Sequence, residues 1–94
     1  MRIMNVMRIN NGYLLRNLAD EWVVIPIGSA TLDFSGLIRV NDAGAFLWRI
    51  LEHGSERALL IDALLNEYDI DQMTAEKDLD DFLDTLKSHG ILTP

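Results

Sequence analysis

Cysteine is absent from the 94 residues, which excludes a disulfide framework, a thiolate nucleophile and a cysteine-based zinc site. Long apolar runs are absent too, and the longest falls far short of a transmembrane span. The N-terminal stretch MRIMNVMRINNG is broken by Arg2, Asn5 and Arg8, so it lacks the unbroken apolar core of a signal peptide. These absences lead to the expectation of a soluble, cytoplasmic protein with no membrane partner. No glycine-rich phosphate loop and no nucleophile elbow occur. His53 and His89 each stand one residue before a glycine, where an imidazole suits a helix C-terminus, and neither has a histidine partner at metal-ligand spacing. DIDQMTAEKDLD begins like a calcium loop, but Met73 and Thr74 occupy positions that need an oxygen ligand and a glycine. No catalytic residue, metal or cofactor is expected.

Basic charge is scarce where a nucleic-acid binder would need it. Residues 1–41 carry four basic and three acidic groups, residues 42–94 four basic and twelve acidic. The C-terminal half therefore presents an acidic surface that repels phosphate backbones but not peptides.

What is present suits one globular domain: 49% of the residues are hydrophobic and 24% charged, enough for a modest core but not for two. GYLLRNLADEWVVIPIG holds two apolar runs around a polar interruption, which predicts a β-hairpin of about Tyr13–Leu18 and Glu21–Ile27. Pro26 cannot donate to a ladder, so it should face an edge or a bulge. GSATLDFSG reads as an irregular loop tucking in Leu32 and Phe34, and a third strand is expected over Leu37–Val40.

From Asn41 the apolar period becomes helical. Ala43, Phe46, Leu47, Ile50 and Leu51 share a stripe behind a cap at Asn41 or Asp42, with Trp48 at its margin. Gly54 stops this helix. Ser55 is expected to cap a second helix carrying Leu59, Leu60, Ala63, Leu64 and Tyr68 as its apolar residues. A third starts near Asp71, buries Ala75, Leu79, Phe82, Leu83 and Leu86, and ends at His89-Gly90. Ile91 and Leu92 should fold back on the core. The expected fold is α+β and winged-helix-like: a small three-stranded antiparallel sheet followed by three helices. Residues 1–94 form one domain, with 1–11 as an N-terminal extension.

GYLLRNLADEWVVIPIG, SGLIRVNDAGAFLWRILEHG, ALLNEYDID and AEKDLDDFLDTLKSHGIL, in this order and spacing, resemble the PqqD family, named for a coenzyme PQQ biosynthesis protein. The similarity covers roughly residues 12–92. It implies a RiPP recognition element, a peptide-binding module without chemistry of its own. Such a module holds the leader of a ribosomally synthesised precursor peptide and presents it to a modifying enzyme, often a radical SAM protein. By position, the resemblance implies that the leader adds as a strand along Leu37, Ile38, Arg39 and Val40. The groove wall would be Lys77, Asp78, Asp81, Phe82 and Thr85.

Strand addition fits elementary physics, since an edge strand offers unpaired N–H and C=O groups while alternate side chains of the guest reach pockets. About four backbone bonds at ~1 kcal/mol and two apolar anchors at ~2 kcal/mol give ~8 kcal/mol gross, hence micromolar affinity or weaker. Blander roles exist for the same residues. Phe82 shares a stripe with core leucines, EKDLDD suits a solvated helix face, and Arg39 suits a solvated strand residue that discourages aggregation. Arg39 would equally serve an acidic leader residue. Two rival functions share the architecture. A winged-helix DNA-binding regulator would need a basic recognition helix, whereas residues 71–90 hold six acidic groups and two lysines. A small protein–protein adaptor would use the same edge. Ile3, Met4, Val6, Met7 and Ile9 read as a flexible segment able to cover that edge or pair with a second copy, so a homodimer through either stays open.

Overall fold

The computed structural model describes residues 6–28, 30–33 and 36–93. The elements in chain order are β1 (Arg8–Ile9), β2 (Tyr13–Leu18), β3 (Glu21–Pro26), α1 (Ala30–Asp33), β4 (Ile38–Val40), α2 (Asp42–Leu51), α3 (Arg57–Glu67), α4 (Gln72–Ser88) and β5 (Leu92–Thr93). Strands β2, β3 and β4 form an antiparallel sheet with β3 in the centre, and β1 pairs with β5. Two of the expected strands run one residue longer than the observed ones. The segment taken for an irregular loop contains the short helix α1, while the Leu32 side chain and Phe34 lie outside the described residues.

The β2–β3 hairpin turns through Ala19 and Asp20, both at positive φ, with Leu18 opposite Glu21. Its two-residue loop is the mirror-image turn that matches strand twist. Pro26 closes β3 opposite Tyr13, two residues beyond the last β3–β4 pair, Val24 with Ile38. Its missing donor therefore breaks no β4 pairing, as the edge expectation required.

Helix ends follow local chemistry. The Gly44 N–H donates to Asn41 Oδ1 at 2.7 Å, and the Thr74 N–H donates to Asp71 Oδ1 at 2.8 Å. At the end of α4 the Ile91 N–H reaches the Leu86 carbonyl and the Gly90 N–H the Lys87 carbonyl, with Gly90 at φ +70°. This glycine-terminated motif turns the chain back and buries Ile91 and Leu92.

Four expectations need correction. Ser55 does not cap α3, because its backbone exchanges two 2.9 Å bonds with Met7 and its hydroxyl donates to the Glu56 carbonyl; Glu56 takes the cap position. Leu59 is exposed, and α3 buries Leu60, Ile61 and Leu64 instead. Trp48 is fully buried rather than marginal, since α2 lies against α3, β1 and β4 and is covered on more than one side. Residues 7–9 are no loose extension: Met7 and Ile9 are core residues, and Arg8–Ile9 pairs with Leu92–Thr93.

The core joins Val24 and Ile38 of the sheet to Leu47, Trp48 and Leu51 of α2, Leu60 and Leu64 of α3, and Leu79, Leu83 and Leu86 of α4. Arg57 locks α3 to α4 through two bonds to Asp80 at 3.0 and 3.1 Å. Among the described residues no helix is long and apolar enough to cross a membrane. The sheet edge at β4 thus ends directly in the cap of α2, with the middle of α4 across a groove from it.

Candidate functional site

The ladder register decides which backbone groups face outward. The Ile27 N–H donates to the Gly12 carbonyl opposite it. Bonding alternates along an antiparallel strand, so Trp22 and Val24 direct their polar groups to β4. Their partners Val40 and Ile38 point inward. Arg39, between them, presents its N–H and C=O at the outer edge, because among the described residues β4 is the last strand of its sheet.

Beside that edge lies a groove of about 230 Å³ between β4, the first turns of α2 and the middle of α4. It is smaller than the roughly 300–1,000 Å³ of small-molecule sites, but it can take an extended peptide's side chains. Val40, Ala43, Leu47 and Phe82 supply apolar surface, while Asp78, Asp81 and Thr85 line the α4 side. Spacings of three and four residues put these α4 side chains on one face. Phe82 is half-buried, packed on the core and open to the groove.

The charges around the groove are mostly committed. Arg39 Nε sits 3.6 Å from Glu21 Oε2, and Lys77 Nζ 3.1 Å from Asp81 Oδ2. The bond to Asp81, with the carboxylate's charge, raises the Lys77 pKa. Asp78 makes no ion pair or hydrogen bond among the described residues. A second concavity, beside the β2–β3 turn at the same C-terminal end of β4, shares Arg39, Val40 and Asn41 and adds Asp20, Glu21, Trp22 and Asp42. Arg49 stacks over Trp22, its guanidinium carbon 5.3 Å from the ring centroid.

Of the residues singled out from sequence, Arg39, Val40, Asp78, Asp81, Phe82 and Thr85 line the groove together. Leu37 is exposed beside the edge, Ile38 is buried facing β3, and Lys77 stands outside, tethered to Asp81. Sequence reasoning missed Asn41, Ala43, Gly44 and Leu47 as lining residues. Gly44 was their signal: a Cβ there would meet Phe82 at 3.1 Å, so the glycine admits a side chain of α4. The exposed Asp78, Asp80, Asp81 and Asp84 on α4 oppose the phosphate-binding alternative.

The fold and the site define a small winged-helix-like α+β domain whose edge strand stands open above a groove. The model of the family described as Coenzyme PQQ synthesis protein D (PqqD) matches residues 21–92, and the chain belongs to that family. No curated protein matches the sequence. Two solved structures share the fold. TbiB1 in complex with the TbiA(beta) leader peptide is 27% identical with a TM-score of 0.71, over 90% of this chain and 93% of that one. Lasso peptide synthetase B1 complexed with the leader peptide is 22% identical with a TM-score of 0.72, over 94% and 98%.

Proposed function

We propose that this protein is a peptide chaperone that takes the leader of a ribosomally synthesised precursor peptide as an added strand on β4. It presents the peptide to a separate modifying enzyme in the cytoplasm, of the radical SAM class that the family resemblance implies, and has no chemistry of its own. The observation that carries this reading is the conjunction of the Arg39 backbone, unpaired among the described residues, with a partly apolar groove directly beside it. Main-chain bonds along such an edge supply affinity, and the groove supplies selectivity. The leader-peptide complexes formed by the two solved relatives support it.

The test is an amide titration of the isotope-labelled protein with the leader of a precursor encoded beside its gene. The Arg39 amide should shift and become protected from exchange, together with amides of α4 around Phe82. Binding that leaves Arg39 and α4 unmoved would overturn the reading.

A further inference from the structure

We propose that the groove selects a peptide carrying a lysine or arginine next to its apolar anchor, with Asp78 as the specificity-determining side chain. This inference rests on strand addition at β4. The two concavities along β4 are lined by five carboxylates, Asp20, Glu21, Asp42, Asp78 and Asp81, against the single guanidinium of Arg39. Arg39 is already ion-paired with Glu21, and Asp81 is already held by Lys77. An acidic leader residue, the alternative use of Arg39, would have to compete with Glu21 for that guanidinium. Asp78 keeps an uncommitted carboxylate at the groove.

An added strand lies about 4.8 Å beyond β4, and every second side chain turns toward α4. A basic side chain there lays its methylenes on the half-buried Phe82 ring and carries its charge to Asp78. An acidic side chain meets Asp78 and Asp81, which Lys77 alone offsets. The peptide also shields the new pair from water, so it gains more than an exposed surface pair would.

Random octapeptides displayed on phage can be selected on the wild-type protein and on Asp78→Lys, and the winners synthesised for titration. Wild type should enrich lysine and arginine at one position, and Asp78→Lys should lose that preference. Replacing the selected lysine by norleucine should weaken binding about fivefold, Asp78→Asn should do the same, and both changes together no more than either alone. Peptides that shift the Arg39 amide but show no basic enrichment, or additive losses, would overturn the role of Asp78 while leaving strand addition intact. Failure to select any peptide that moves the Arg39 amide would overturn strand addition itself, and this inference with it.

Discussion

A Cβ placed on Gly44 would stand 3.1 Å from Phe82 Cε1 and 3.2 Å from both Phe82 Cδ1 and Asn41 Oδ1. The first turn of α2 and the middle of α4 thus meet at a position without a side chain, and the Phe82 ring occupies the space. Gly44→Ala gains about 1 kcal/mol in helix propensity and crowds the ring and the cap by a few tenths of an ångström. Because Phe82 has the open groove on one side, the ring can yield outward. We expect thermal stability to change by less than about 1 kcal/mol, while the narrowed groove weakens peptide binding. A melting curve and a titration on the same variant separate the two effects, and a stability loss well beyond that bound would show that the ring is fixed.

Met7 and Ile9 are buried in the core, and Met7 exchanges two backbone bonds with Ser55. Deleting residues 1–9 should therefore destabilise the fold rather than uncover the β4 edge. Two buried side chains at about 2 kcal/mol each are a large part of the roughly 5–15 kcal/mol that holds a domain together. Loss of a cooperative melting transition, or a midpoint lowered by roughly 10 °C or more, is the expected outcome. A milder Ile9→Ala should cost about 2–4 kcal/mol.

These residues show where the sequence was legible. Asn41, Asp71 and Gly90 announce their helix ends because capping depends on side-chain chemistry within a few residues. The hairpin and β4 were readable for the same local reason. The pairing of Ile9 with Leu92 was not, since nothing local in either residue names a partner some eighty positions away. Trp48 was misplaced because a single-stripe reading assumes one buried face, whereas α2 is covered from several sides; Leu59 was misplaced because the buried stripe of α3 runs through Leu60, Ile61 and Leu64 instead. The α4 wall of the groove came from family resemblance. Its α2 wall, Ala43 and Leu47 beside Gly44, became visible only once Phe82 was seen to fill the space above the glycine.

Ala19 and Asp20 form the hairpin turn at φ +52° and +68°. A non-glycine residue in the left-handed region costs about 1–2 kcal/mol, and alanine, unlike aspartate, has no polar side chain to offset that cost locally. Ala19→Gly should raise stability by about 1 kcal/mol, readable as a higher midpoint in denaturant at constant slope. An unchanged or lower midpoint would mean that the turn carries no strain.

Asp71 caps α4, and the bond donated by the Thr74 N–H holds its carboxyl below the ordinary value of 3.8. The unfolded chain, with the ordinary value, binds the proton more readily. The contribution of Asp71 is thus fully present above the ordinary carboxylate range and lost as pH falls through the depressed native value. Asp71→Asn keeps a capping oxygen but cannot titrate. Its melting temperature should match wild type near neutrality and fall less steeply below about pH 4. Parallel curves for the two proteins across that range would remove Asp71 from the acid response.

The register of β4 makes two adjacent proline substitutions behave in opposite ways. Val40 directs its N–H toward Trp22 inside the sheet, whereas Arg39 directs its own to the open edge. Val40→Pro removes a ladder bond at the join with α2 and should destabilise the fold by about 1–3 kcal/mol. Its effect on binding would then be inseparable from damage to the sheet. Arg39→Pro removes only an outward donor, at a position where an edge strand tolerates proline, so the fold should melt close to wild type. Strand addition would lose its central main-chain bond, and leader affinity should fall at least about tenfold once the proline ring also obstructs close approach. Arg39→Ala separates side chain from backbone, because it retains the N–H and should bind within about threefold of wild type. If Arg39→Pro were folded and bound as well as Arg39→Ala, the peptide would not be pairing with this edge.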